Sequence, residues 1–202
     1  MITATILCAY ACAVLLFAEL RAIPRLRIVA KVAASFDFVA VGILAHDGSP
    51  YATWILAGLV CGALGDVCLL GAGRRWFTSG LVAFLFGHLA YIVAVAQVVA
   101  PGDWIGLGAI LPIAVAAVAF VQLRRHLGGM TIPVLAYVCV ITTMVIAARA
   151  SGNPRLAVGA VLFFLSDLAV ARQRFVGRSL TNKMVGLPAY YAGQLLIAWS
   201  IS

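Results

Sequence analysis

Long apolar stretches alternate with short polar or basic breaks along almost all of the 202 residues. A helix that crosses a bilayer needs roughly 20 mostly apolar residues. The pattern therefore predicts an all-α, polytopic membrane protein, a bundle of about eight transmembrane helices in one domain over residues 1–202. The predicted spans are Ile2–Leu20, Ile28–Ala45, Ala52–Leu70, Gly80–Val99, Ile105–Leu123, Ile132–Ala148, Leu156–Ala171 and Val185–Ile201.

Composition excludes a soluble protein and argues against a nucleic-acid partner. Hydrophobic residues make up 65% of the chain and charged residues only 10%, whereas soluble domains carry about a quarter charged residues. The formal net charge of +8 is typical of nucleic-acid binding. The basic residues, however, lie in the breaks between spans, where membrane topology explains them and no nucleic acid is needed.

The basic residues also predict an orientation. Twelve of the fourteen follow the first, third, fifth or seventh span: Arg21, Arg25, Arg27, Lys31, Arg74, Arg75, Arg124, Arg125, Arg172, Arg174, Arg178 and Lys183. Because Lys and Arg are retained in cytoplasmic loops, we expect these loops inside and both termini outside. The chain is then a multi-pass integral membrane protein, of the plasma or inner membrane in a bacterium.

Two aspartates lie at similar depth in different spans. Asp66 comes eight residues before Arg74, and Asp167 five before Arg172, so they lie roughly 10 and 7 Å from the basic boundary. His88 in the fourth span lies roughly 12 Å deep. Since an ionisable group inside a bilayer costs roughly 2.5 to 3.5 kcal/mol, we interpret these three side chains as catalytic candidates.

Further polar side chains occupy the same layer, while the fifth and sixth spans contribute almost none. The candidate substrate-binding residues are Lys31, Ser35, Tyr91, Tyr190, Tyr191 and Gln194. This asymmetry predicts a pocket open toward the inner leaflet or cytoplasm. A single histidine or glutamine is also common as a link between helices, so that interpretation stays open for His88 and Gln194. No Cys/His spacing indicates a metal site.

The third and seventh spans resemble each other. Gly58 lies eight residues before Asp66, and Gly159 lies eight before Asp167. Both spans run in the same direction and are four spans apart. The similarity suggests a weak repeat of four plus four helices, an arrangement that places a site between the halves.

Five segments together resemble the signature of the YhhN-like lysoplasmalogenase family. They are GLVCGALGDVCLL, FLFGHLAY, YVCVITTM, GAVLFFLSDLAVA and YYAGQLLI, and the likeness extends over spans two to eight in order. The resemblance implies a membrane hydrolase that opens the vinyl ether bond of lysoplasmalogens, releasing a fatty aldehyde and a glycerophospho-head group. It implies Asp66 and Asp167 as the catalytic pair, a lysophospholipid and water as reactants, and no cofactor.

The chemistry of a vinyl ether requires one carboxylic acid and one carboxylate. Protonation of the enol carbon gives an oxocarbenium ion, which water captures, and glycosidases meet a similar ion with two carboxyls. Two buried carboxyls close together tend to share one proton, and the residues alone do not decide which is the acid. Lys31, with Arg74 or Lys183, is expected to meet the phosphate.

Two other functions fit the same residues. A proton-coupled transporter would use the aspartates as a relay and needs a polar path to both faces. A structural bundle would use them only to fix helix register, so that amide substitutions would change stability alone. The sequence does not indicate an oligomeric state.

Overall fold

The described residues, 1–177 and 179–202 of this computed structural model, form eight α-helices and no strand. The helices are α1 (Ile2–Leu20), α2 (Pro24–Ala45), α3 (Pro50–Cys68), α4 (Arg74–Ala96), α5 (Ile110–Leu127), α6 (Thr131–Ala150), α7 (Pro154–Ala171) and α8 (Leu180–Ala198). A π-helical turn, Arg172–Val176, continues α7. The predicted all-α fold is confirmed.

Seven helical segments in the described part of the chain are long and apolar enough to cross a membrane. One of them, Leu107–Ala150, has 44 residues and would be about 66 Å long if straight, twice the thickness of a bilayer core. It folds back at Gly128, which has a φ of +51°. Gly108, before α5, then lies against Arg149 at the end of α6. The segment therefore contains two antiparallel crossings, and the polytopic bundle of about eight spans is confirmed.

Several helices begin earlier than the apolar pattern predicts. α2 begins at Pro24 instead of Ile28, α4 at Arg74 instead of Gly80, and α8 at Leu180 instead of Val185. The apolar stretch ends where the hydrocarbon ends, whereas backbone hydrogen bonds continue the helix into the basic interface. Proline in the first turn of α2 is compatible with this, because its missing N–H would have no helical partner there.

The helices pack in a closed ring with α5 at its edge. Successive neighbours are α1, α2, α3, α4, α6, α7 and α8, and α8 closes the ring against α1 and α2. Glycines allow the closest approaches: a Cβ on Gly87 would lie 3.1 Å from the Gly58 carbonyl, and one on Gly159 would lie 2.9 Å from the Gly193 carbonyl. Small residues bring helices together in this way in membranes. The four-plus-four repeat stays a prediction.

The bundle has two chemically different ends. The loops after α1, α3 and α5 and the connection after α7 lie at one end, here called the basic end, where most Lys and Arg residues cluster. At the opposite end, the C-terminal residues bond to the starts of other helices. Tyr51 OH lies 2.8 Å from Ser200 Oγ, and Trp199 Nε1 donates to Thr5 Oγ1 at 2.9 Å. Both termini therefore share one end, as an even number of crossings requires.

Candidate functional site

A cavity of about 650 Å³ extends from the middle of the bundle to the basic end. Residues from all eight α-helices line it, and both Asp66 and Asp167 are among them. Glu19, Arg27 and Lys183 line its outer part. Its volume lies within the usual range of small-molecule sites. The two aspartates that the sequence singles out thus face one chamber.

Asp66 is held by two side chains of α2. Lys31 Nζ lies 2.6 Å from Asp66 Oδ1, and Ser35 Oγ donates to Asp66 Oδ2 at 2.7 Å. The Asp66 side chain is only 3% exposed. An ammonium group at this distance neutralises a buried carboxylate in place and holds it by a charge-assisted hydrogen bond. Asp66 is therefore arranged as a fixed negative charge at the inner end of the cavity.

Asp167 has different partners and is more open. Tyr137 OH donates to Asp167 Oδ2 at 2.7 Å, and His88 Nε2 lies 3.2 Å from the same oxygen. Asp167 Oδ1 has no hydrogen-bond partner among the described residues, and the side chain is 16% exposed. One carboxyl oxygen is therefore anchored, and the other is available to a molecule in the cavity.

His88 lies behind Asp167 and is completely buried. Its Nε2 is 2.9 Å from Tyr137 OH, and its Nδ1 is 3.2 Å from Met144 Sδ. Because the Tyr137 hydroxyl directs its own proton to Asp167, His88 Nε2 must be the donor toward the tyrosine oxygen. The histidine is not among the residues that line the cavity, so it orients Asp167 from behind.

An aromatic wall separates the cavity from a second buried polar group. Tyr190 lines the cavity and packs edge-on against Phe84 and Phe163, with ring centroids 5.8 and 5.2 Å away. Behind it, Gln194 Nε2 donates to Tyr190 OH at 3.2 Å, and Tyr91 OH donates to Gln194 Oε1 at 2.7 Å. These bonds fix the orientation of the Tyr190 hydroxyl.

The predicted site residues thus fall into two groups. Those that line the cavity are Asp66, Asp167, Lys31 and Tyr190. Those buried behind its wall are Ser35, His88, Tyr91, Tyr191 and Gln194. Ser35, His88, Gln194 and Tyr191 hydrogen-bond directly to residues of the first group, and Tyr91 acts through Gln194. The second group therefore supports the site from outside the chamber.

Tyr137 and Ser166 are two polar residues beside Asp167 that the sequence analysis missed. Tyr137 belongs to α6, so the expectation that the fifth and sixth spans contribute almost no polar side chains is wrong for α6. Its position, five residues after Ile132, places it roughly 8 Å into the span, at the depth of Asp167. A buried tyrosine hydroxyl needs a hydrogen-bond partner, and this requirement could have marked Tyr137 as a candidate site residue from the sequence. Ser166 also lines the cavity.

The two carboxyls do not bond to each other. Among the described residues each aspartate has its own set of partners, and no hydrogen bond joins Asp66 to Asp167. A directly shared proton is therefore not part of this arrangement. The described residues also include no group of three His, Cys, Asp or Glu side chains that could hold a metal ion.

The sequence of this chain is similar to a known protein family and to several curated relatives. The YhhN family model matches residues 26–201. Lysoplasmalogenase TMEM86B of Mus musculus is 35% identical over 73% of this chain and 63% of its own length. Lysoplasmalogenase TMEM86B of Homo sapiens is 34% identical over 74% of this chain and 64% of its own length. Lysoplasmalogenase TMEM86A of Homo sapiens is 31% identical over 78% of this chain and 68% of its own length.

This chain therefore spans slightly less than two thirds of the first of these relatives. No solved structure matches it.

Proposed function

Because the chain belongs to the YhhN family, whose relatives above are named lysoplasmalogenases, we propose that it hydrolyses the vinyl ether bond of lysoplasmalogens. The products are a fatty aldehyde and a glycerophospho-head group, with choline or ethanolamine on the phosphate. The observation that carries the proposal is the placement of Asp66 and Asp167 on one cavity in the middle of an apolar bundle.

The different partners of the two aspartates support a different role for each. Asp66 already balances the Lys31 ammonium, so it serves as the carboxylate that stabilises a positive charge. Among the described residues, Asp167 Oδ1 has no hydrogen-bond partner and the carboxyl has no Lys or Arg ion-pair partner. Asp167 is therefore the group that holds a proton on Oδ1 and donates it to the enol carbon.

The reaction then follows in balanced steps. The proton from Asp167 forms a C–H bond at the enol carbon, and the ether oxygen shares the resulting positive charge as an oxocarbenium ion. Water attacks the carbon next to that oxygen, and Asp167, now a carboxylate, takes a proton from the water. The hemiacetal gives up its hydroxyl proton to the leaving glycerol oxygen and becomes the aldehyde. Asp66 remains charged throughout and stabilises the cation.

Tyr137 in the cavity wall and His88 behind it position the acid. Tyr137 OH and His88 Nε2 both contact Asp167 Oδ2, which leaves Oδ1 as the oxygen that carries the proton. We propose His88 as a positioning residue of this kind. The loops at the basic end are proposed to face the cytoplasm, because positive residues are retained there. A lysolipid would then enter from the inner leaflet.

The cavity favours hydrolysis over transport. Its lining residues lie in the half of each helix nearest the basic end, from Leu15 and Glu19 of α1 to Tyr190 of α8. A lipid hydrolase needs only this one opening, whereas a proton-coupled carrier also needs polar groups that continue the relay toward the opposite face. Proton-driven uptake by proteoliposomes without any hydrolysis would favour the carrier.

The test is aldehyde release from a purified 1-alkenyl lysophospholipid by protein in nanodiscs. Asp167→Asn is expected to lower kcat by about 10² to 10⁴, the usual contribution of a general acid. Asp66→Asn is expected to lower it as well, because the charge opposite the cation is lost. Asp37→Asn is the matched control, since Asp37 lies in α2 but not on the cavity. Full activity in Asp167→Asn would overturn the proposal.

A further inference from the structure

Four of the seven charged side chains that line the cavity pair with one another. Two ion pairs have short contacts: Lys31 Nζ to Asp66 at 2.6 Å, and Lys183 Nζ to Glu19 Oε2 at 2.6 Å. The lining also includes two guanidinium groups, those of Arg27 and Arg174. Neither has a carboxylate within ion-pair distance among the described residues. The outer part of the cavity therefore carries two uncompensated positive charges.

Arg27 has a buried donor without an acceptor. Its Nε is the one buried side-chain nitrogen or oxygen in the described chain that lacks a hydrogen-bond partner. An unsatisfied buried donor costs roughly 1 to 3 kcal/mol, and an acceptor on a molecule in the cavity would remove that cost. Arg27 also lies four residues before Lys31 on α2, on the same face and about 6 Å nearer the basic end.

Arg174 approaches the cavity from the other side. It belongs to the π-helical turn that continues α7, seven residues after Asp167. Its guanidinium lies over the Phe77 ring, 4.6 Å from the centroid, which restrains its direction. π-Helical turns are frequent at functional sites. Arg27 thus lies one helical turn outward from Lys31, the partner of Asp66, and Arg174 lies two turns outward from Asp167.

We propose that Arg27 and Arg174 form a phosphate subsite that binds the phosphodiester of the lysophospholipid. The inference deepens the proposed function and rests on it for the identity of the lipid. A short glycerol linker separates the vinyl ether from the phosphate. The single helical turn between Lys31 and Arg27 therefore matches the distance that the substrate needs. Guanidinium groups suit this task because they donate two parallel hydrogen bonds to one phosphate.

This assignment differs from the expectation drawn from the sequence. Lys31 and Lys183 were expected to meet the phosphate, but each is already committed to a carboxylate. Arg74 lines only a neighbouring cavity of about 240 Å³ beside Met130, whereas Arg174 borders both cavities. Arg27 is the unpaired cation of α2 nearest to Lys31. The apolar pattern of the sequence does not distinguish Arg27, which lines the cavity, from the exposed Arg25.

The test uses two non-hydrolysable probes, a 1-alkyl lysophosphatidylcholine and the corresponding 1-alkylglycerol, with the full chain in nanodiscs. Arg27→Met is expected to weaken binding of the phospholipid about 10- to 100-fold, the equivalent of a hydrogen bond to a charged group. Its affinity for the alkylglycerol should stay unchanged within error. Arg174→Met should show the same selective loss. Arg25→Met is the matched control and should bind both probes normally.

Two outcomes would overturn the subsite: equal phospholipid binding by Arg27→Met and Arg25→Met, or a parallel loss of both probes. If Arg27→Met fails to fold, Arg174→Met carries the same comparison. Because neither probe is cleaved, failure of the proposed function has a separate signature. If the wild-type protein releases no aldehyde, the proposed reaction fails. If Arg27→Met nevertheless binds the phospholipid more weakly than the wild-type protein does, the phosphate subsite stands.

Discussion

Substitution of Tyr137 by Phe tests how the acid is positioned. The change removes one hydroxyl, which donates to Asp167 Oδ2 at 2.7 Å and lies 2.9 Å from His88 Nε2. The ring itself is buried and should keep its place. Asp167 becomes a carboxylate as it gives up its proton, and a hydrogen bond to a charged partner contributes about 1.5 to 3 kcal/mol, so kcat should fall by about 10- to 100-fold. Because Tyr137 positions Asp167 and is not assigned to bind the lipid, KM should change little.

The assay is steady-state aldehyde release, with thermal unfolding measured on the same samples. Tyr51→Phe is the matched control, because Tyr51 OH makes a 2.8 Å bond to Ser200 at the opposite end of the bundle. The control should lose stability without losing kcat. The reasoning would be refuted if Tyr137→Phe kept the wild-type kcat, or if Tyr51→Phe lost as much activity.

Three further changes follow from the same contacts. Lys31→Met leaves the Asp66 carboxylate without its counter-ion and should lower the free energy of unfolding by about 3 to 5 kcal/mol. The double variant Lys31→Met/Asp66→Asn should regain most of that stability, and no recovery would contradict the ion pair. Gly159→Ala places a Cβ 2.9 Å from the Gly193 carbonyl and should lower the melting temperature, while Gly129→Ala, with open space around it, should not; equal melting would contradict the close approach of α7 and α8. His88→Gln keeps a donor near Asp167 and should lose less kcat than His88→Leu; equal losses would contradict a positioning role.

The fold was predictable because one physical requirement determines it. Each crossing must satisfy its backbone inside the bilayer, so apolar stretches of sufficient length become helices. Helix starts were less predictable. Arg74 and Leu180 begin their helices outside the apolar stretches, where hydrogen bonding and capping decide the boundary.

Depth along the membrane was readable, whereas rotation around each helix axis was not. Asp66 and Asp167 could be brought to one layer by counting residues from the basic loops. Whether a residue of that layer faces the cavity depends on packing, which is why Tyr190 lines it and Tyr191 does not. The same uncertainty hid the bond between Lys31 and Asp66, which lie on different helices.

Tyr137 shows a second limit. Hydropathy treats tyrosine as nearly apolar, so α6 was predicted to contribute no polar side chain to the site. The Tyr137 hydroxyl nevertheless makes a 2.7 Å hydrogen bond to Asp167. A buried tyrosine hydroxyl requires a hydrogen-bond partner, so the sequence could have marked Tyr137 as a candidate but could not identify Asp167 as that partner.

The most direct test of proton donation by Asp167 is mass spectrometry of the aldehyde released in D₂O. Transfer of a proton from Asp167 to the enol carbon predicts wild-type aldehyde with a single deuterium on the carbon next to the carbonyl, and almost no aldehyde from Asp167→Asn. Aldehyde that lacks this deuterium, or equal yields from the two proteins, would contradict it.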